Sequence, residues 1–216
     1  MQQSYGNDNP DALERIFQGS INWMNLLVIG INVVVYIVLE YLGNTEDTVH
    51  MLKYGAAYTP WILEGEWYRL FTSMFLHFGF EHLLNNMILL LFMGDMVEEL
   101  VGKWKYLIIY LGGGIVGNLL SFACDLKFGD NSVSAGASGA IYAVLGGFLI
   151  ILLKNRGKIE DITASRVFIV IILTVYNGLQ STGIDNAAHI GGLIGGMFWT
   201  LLLYRKKEPD QFIVFD

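Results

Sequence analysis

Ser138 stands in the run Gly136, Ala137, Ser138, Gly139, Ala140, walled by residues of almost no bulk, inside a stretch with no charged residue from Asn131 to Leu153. A hydroxyl there has two uses. Small and hydroxylated residues are what helix contacts in membranes are made of, and an open serine is also a nucleophile once a base takes its proton. The candidate base is His189, within Asn186-Ala-Ala-His-Ile-Gly-Gly-Leu-Ile-Gly-Gly196. An ionisable side chain inside an apolar run is costly and by default functional, and neutral imidazole is matched to proton abstraction near pH 7. A second pair, His82 and Asn86, is four residues apart and shares one helical face, about 40° apart on the wheel. As donors they suit a developing oxyanion. The plainer alternative is interfacial capping by the histidine and interhelical bonding by the asparagine. The Ser138 N–H, at a helix N-terminus, would add a third donor. This set fits acyl transfer, in which one oxyanion donor is typically worth about 100- to 1000-fold in rate. No aspartate stands out to orient His189; Tyr142, one turn after Ser138 and on its face, can pack on the imidazole instead.

Other chemistry is poorly served. His77 and His82 are five apart, which fits one helical face badly, and no third ligand is evident, so no metal site is expected. Cys124 is the one cysteine; it excludes an internal disulfide and a multi-cysteine metal site and reads as a buried packing residue. Gly112, Gly113, Gly114 and Gly117 lie within an apolar run and read as close packing, not a phosphate cradle. No cofactor is implied. The net charge of −7 comes without a basic tract and argues against nucleic acid as a partner.

The elements that must position these residues follow from composition. Apolar residues make up 54% of the chain against 15% charged, and the charges fall between long uncharged runs, the pattern of an all-α, polytopic membrane protein. A spanning helix needs about 20 apolar residues. Five runs meet that closely: Ile21 to Leu39, Tyr106 to Cys124, Asn131 to Leu153, Val167 to Ile184 and Asn186 to Tyr204. A sixth, from about His82 to Leu100, carries Asp95, Glu98 and Glu99 near its far end, which must snorkel or pack in the bundle. The expectation is a six-transmembrane-helix bundle over 21–204 with tails over 1–20 and 205–216. Ten of the thirteen Lys and Arg fall on the side shared by the two tails, which places both termini in the cytoplasm. The first tail lacks the form of a secretory signal; a helical turn or two is expected from Asn9 or Pro10.

The longest connection, Tyr41 to Phe80, is expected on the outer side. Its aromatics, among them Tyr54, Trp61 and Trp67, favour the headgroup level, so it is expected to lie in the interface in contact with lipid. Asn22, Asn25, Asn32 and Asn118 read as helix–helix hydrogen bonders; His77 and Asn85 are expected to satisfy local groups, and Asn177 and Gln180 have no assignment. Gly192 and Gly196 form a close-approach strip within about 60° of His189 on the helix. Since even spans run inward, His82, Asn86, Ser138 and His189 fall at one level, on the order of 6 to 12 Å below the outer boundary for the last two.

The motifs just described resemble those of the rhomboid intramembrane serine proteases. The matching residues are Gly136 to Gly139 with Tyr142, the Ala188-His-Ile-Gly-Gly run with its glycine strip to Gly196, and His82 to Asn86. Further matches are Trp67-Tyr-Arg69 and Gly94, Glu98 and Gly102 at spacings of four. The resemblance covers about Glu66 to Tyr204. It implies a Ser138 and His189 dyad, an oxyanion site from His82 and Asn86, and Tyr142 stacked on His189. Trp67 and Arg69 would be loop anchors, and the substrates transmembrane helices cut near the outer face of what is expected to be the plasma membrane. Two other classes remain: a rhomboid-like escort protein that binds membrane helices without cutting, and a small transporter using His189. The latter requires polar groups continuing below His189, where the chain offers only Thr200 among glycine and apolar residues.

Overall fold

The computed structural model describes residues 22–159, 161–181 and 183–206. The tail over 1–20, its expected helical turns and most of the tail over 205–216 lie outside them. The described chain is mostly helical. In order it runs α1 (Trp23–Leu42), the short helices α2 (Thr48–Lys53), α3 (Thr59–Leu63) and α4 (Arg69–Thr72), then α5 (Gly79–Leu89), a π-helical turn (Leu90–Gly94) and α6 (Asp95–Val101). There follow α7 (Lys103–Phe128), α8 (Ser138–Lys154), a small antiparallel pair β1 (Lys158–Ile159) and β2 (Ile162–Thr163), α9 (Ala164–Gln180) and α10 (Asn186–Leu203).

Among the described residues three helices, α1, α7 and α10, are long and apolar enough to cross a membrane. A fourth candidate is the pair Arg69–Phe75 and Gly79–Val101, bent by 88° between its halves. Helices α8 and α9 are apolar but only 17 residues long, about 25 Å at 1.5 Å per residue. The uncharged runs overstate both. Asn131 to Ala137, expected inside a span, is loop, and the chain beyond Gln180 turns before α10 begins. The physical reason is that Asn, Ser, Val and Gly lack charge without favouring helix, and here they outnumber the two alanines that do favour it. Gly136 in addition has φ +149°, a conformation side chains rarely adopt.

Helix α8 is the centre of the bundle: 13 of its 17 residues are buried, so it is enclosed on every side. Its neighbours α7 and α10 meet it through glycine. A methyl group on Gly192 would strike the Gly139 carbonyl, one on Gly196 the Ala143 carbonyl, and one on Gly113 the Ala143 side chain. On Gly117 it would lie 2.6 Å from the Ala188 carbonyl oxygen. The run Gly112 to Gly117 is thus packing surface.

At the start of α1, the buried Glu98 carboxylate accepts the N–H groups of Met24 (3.1 Å) and Asn25 (2.6 Å). It supplies from α6 the cap that Asn22 does not provide. Asn25 donates to the Leu90 carbonyl in the π-helical turn and accepts from Tyr106 Oη at 2.6 Å. A methyl on Gly94 would overlap the Asn25 side chain. Asn22 bonds across to Asp95. Asn32 departs from the expectation: its Nδ2 turns back to Val28 O of its own helix at 2.8 Å, the local bond a short amide side chain reaches.

The long first connection is built around Arg69, which is 3% exposed. Its Nη1 donates to the carbonyls of Leu52 and Ala56, both at 2.8 Å, and its Nε to Glu66 Oε2 at 2.5 Å. The guanidinium lies 4.5 Å from the Trp61 ring. Arg69, with Tyr68, holds the Glu66 carboxyl below the usual carboxylate range. Trp67 packs edge-on against Phe122 of α7 at 5.6 Å. Thr59 donates to Asp125, and Asn118 Nδ2 to Leu70 O and Ser73 Oγ. Asn118 therefore ties α7 to the connection. Replacing Arg69 leaves the buried Ala56 carbonyl without its donor and takes one donor from the Leu52 carbonyl, which keeps the Gly55 N–H. Arg69→Ala is expected to destabilise the protein by about 3 kcal/mol, and Arg69→Lys to recover only part because one ammonium cannot serve the same fork. Thermal unfolding in detergent checks both.

Candidate active site

Ser138 is the first residue of α8, so its N–H is among the first four of the helix, which have no acceptor within it. His189 lies one turn into α10 and is 8% exposed. Its Nε2 is 2.8 Å from Ser138 Oγ. With the ring proton on Nδ1, Nε2 accepts the hydroxyl hydrogen, which is the state that readies the oxygen for attack. Nδ1 has no acceptor among the described residues. Tyr142 holds the ring instead, stacked on it with centroids 4.2 Å apart and planes 14° from parallel.

Ser138, His189, Tyr142, His82 and Asn86 line one cavity of about 660 Å³. Asn86 is buried, and its Nδ2 has no acceptor among the described residues. An amide donor left free at the wall of a cavity is costly unless something that enters uses it. His82 lies beside Gly136, where a methyl group would come within 2.8 Å of the imidazole. Glycine is needed there twice, for this contact and for its φ. Gly192 and Gly196 act on the side of α10 that faces α8, through the contacts described above. Trp67 and Arg69 are outside the cavity, within the first connection.

Several neighbours were not legible as such. His77 is 1% exposed, accepts the Ala137 N–H at Nε2 (3.4 Å) and meets His82 edge-on at 5.1 Å. Its partner is a loop group, but one sixty residues further along; nothing in the spacing from His82 signals that. The expectation of a buried, packing Cys124 is corrected: the residue is half-buried and lines the cavity, because α7 runs four residues beyond it, to Phe128, and this last turn forms part of the cavity wall with Asp125 and Phe128. Asn177 lines the cavity, together with Thr174 and Gly178 on one face of α9 and Ser181 just past its end. Asn85 is exposed and does not.

Apolar helices around a cavity that joins a serine to a buried histidine define an integral membrane protein with the groups of a serine hydrolase. Residues 64–206 match the Rhomboid domain, and the chain belongs to the rhomboid family. It is 36% identical over 192 residues to Rhomboid protease GluP of Bacillus subtilis, covering 89% of this chain and 37% of that one. It is 32% identical over 151 residues to Putative rhomboid protease YdcA of the same organism, covering 70% and 74%. With Rhomboid protease AarA of Providencia stuartii it shares 32% identity over 196 residues, covering 80% and 69%. The chain thus spans little more than a third of the length of the first of these.

The Gly192 contact predicts that Gly192→Val pushes α10 off α8. The expected outcome is a loss of about 1 to 3 kcal/mol in stability from overpacking, with loss of Ser138 reactivity toward a small fluorophosphonate. Gly30→Ala is the control: a methyl there meets nothing within 4 Å among the described residues, and both measurements should stay at the native level.

Proposed function

We propose that the protein is an intramembrane serine endopeptidase that cuts transmembrane protein substrates near the outer membrane face. The observation that carries this reading is the 2.8 Å contact of Ser138 Oγ with His189 Nε2 beneath a stacked Tyr142. The printed names of the relatives, which call them proteases, support it. In the proposed reaction Ser138 Oγ attacks the scissile carbonyl carbon while His189 Nε2 takes its proton. The oxyanion is held by the Ser138 N–H and the side chains of His82 and Asn86. The C–N bond then breaks, the imidazolium proton passes to the leaving amine, and an acyl-enzyme remains. Water, deprotonated by the same imidazole, releases the new carboxyl end and restores Ser138.

The proposed frame is six spans over 21–204 with tails over 1–20 and 205–216 and both termini cytoplasmic. The distribution of Lys and Arg supports it, ten of the thirteen lying on one side. The 17-residue helices α8 and α9 would then cross with the aid of their flanking loops and local thinning of the bilayer. The first connection would lie in the outer interface, in the plasma membrane.

The test is cleavage of a membrane-anchored substrate by the purified protein. Ser138→Ala and His189→Ala are each expected to lower turnover by at least about 1000-fold. Asn86→Ala should cost about 100- to 1000-fold as a lost oxyanion donor. Cleavage that survives Ser138→Ala would refute the mechanism. Substrate bound but uncut by the native chain would point to an escort protein. Tyr142→Phe is expected to keep turnover, since the ring does the stacking, whereas Tyr142→Ala lowers it about 10-fold.

A further inference from the structure

The glycine contacts fix the distance between α8 and α10 from Gly139 inward, but Ser138 is the first residue of its helix, where helices fray. Something must hold the two helix ends. One carboxylate reaches everything involved. Asp185 caps α10, its Oδ1 accepting the Ala188 N–H at 2.8 Å. Its Oδ2 accepts from Ser134 Oγ at 2.8 Å, four residues before Ser138, and from Ser121 Oγ of α7 at 2.6 Å. Ser134 is paired in turn with Ala57 of the first connection, N–H to carbonyl in both directions, at 2.8 and 3.0 Å. The loop before Ser138, the first turn of the helix carrying the histidine, and α7 beside them therefore meet on a single side chain.

We infer that Asp185 is a positioning residue that sets the distance between Ser138 and His189 by holding the loop before Ser138 and the first turn of α10 on one carboxylate. This rests on the protease reading above. Asp185 touches neither reacting atom; it acts through Ser134 and the Ala188 N–H. A carboxylate has about four lone-pair sites, enough for all three donors. Alanine has none. Asparagine keeps a cap oxygen, and its amide can donate to the serine hydroxyls, so it can preserve the arrangement with different bond directions.

The experiment uses the full chain in detergent with Asp185→Ala, Asp185→Asn, Ser134→Ala and the double variant Asp185→Ala/Ser134→Ala. The readouts are kcat and KM on the membrane-anchored substrate, the rate of fluorophosphonate labelling at Ser138, and Tm. Asp185→Ala is expected to lower kcat and labelling together by roughly 100-fold, the scale of an ångström of misplacement, with KM nearly unchanged. Asp185→Asn should restore most of that rate. The double variant should be no slower than Asp185→Ala, because the two substitutions remove one shared bond. Native kcat and labelling per folded molecule in Asp185→Ala, whatever its Tm, would overturn the inference; so would losses that multiply in the double variant. Native protein labelled and active no faster than Ser138→Ala would instead overturn the protease reading, and the positioning role with it.

Discussion

The contact on which the rest of the molecule depends is that of two helix backbones without side chains between them. Helices α8 and α10 approach so closely at Gly139 and Gly192, and again at Ala143 and Gly196, that a methyl group on either α10 glycine would fall on a carbonyl of α8. Lipid gives apolar helices no hydrophobic reason to associate, so shape must supply the attraction. Glycine supplies it by letting many weak contacts form at once. Helix α7 enters the same seam with Gly113 and Gly117. Ser138 and His189 meet because they sit at the open end of this three-helix junction.

A second layer of polar bonds closes that end. Arg69 folds the first connection around its guanidinium, Asn118 and Thr59 fasten the connection to α7, and Ala57 pairs with the loop before Ser138. These groups would be expensive to bury alone. Here each buried charge is met by several partners. The connection is therefore a folded part of the site's surroundings, even though its helices are only four to six residues long.

Much of this was legible from residue types and spacing. His82 and Asn86 four apart, Tyr142 one turn after Ser138, and the glycine strip on the His189 face are facts of helical periodicity, and a helix expresses them without help from the rest of the fold. What spacing does not carry is the behaviour of uncharged residues outside helices. Asn131 to Ala137 reads as span because charge is absent, although Asn, Ser, Val and Gly, which make up five of its seven residues, do not favour helix. The pairing of His77 with Ala137, of Glu98 with the start of α1, and of Asp185 with three donors depends on which chain ends come together. Nothing in the sequence around Asp185 signals its three donors, because only the fold brings Ser121 and Ser134 to it. Asn32 erred the other way: an amide facing its own i−4 carbonyl looks the same in sequence as one facing another helix.

The two α8–α10 contacts fall one helical turn apart, at Gly139 and Ala143 on one side and Gly192 and Gly196 on the other. Two teeth at the pitch of the helix make a ratchet rather than a slide. A shift of α8 by one residue would rotate Ser138 by about 100° and set side chains where only bare backbone fits. The glycines therefore fix the register of the two helices, and what freedom the hydroxyl and imidazole retain lies in the helix ends beyond Gly139, not in a slide of one helix along the other.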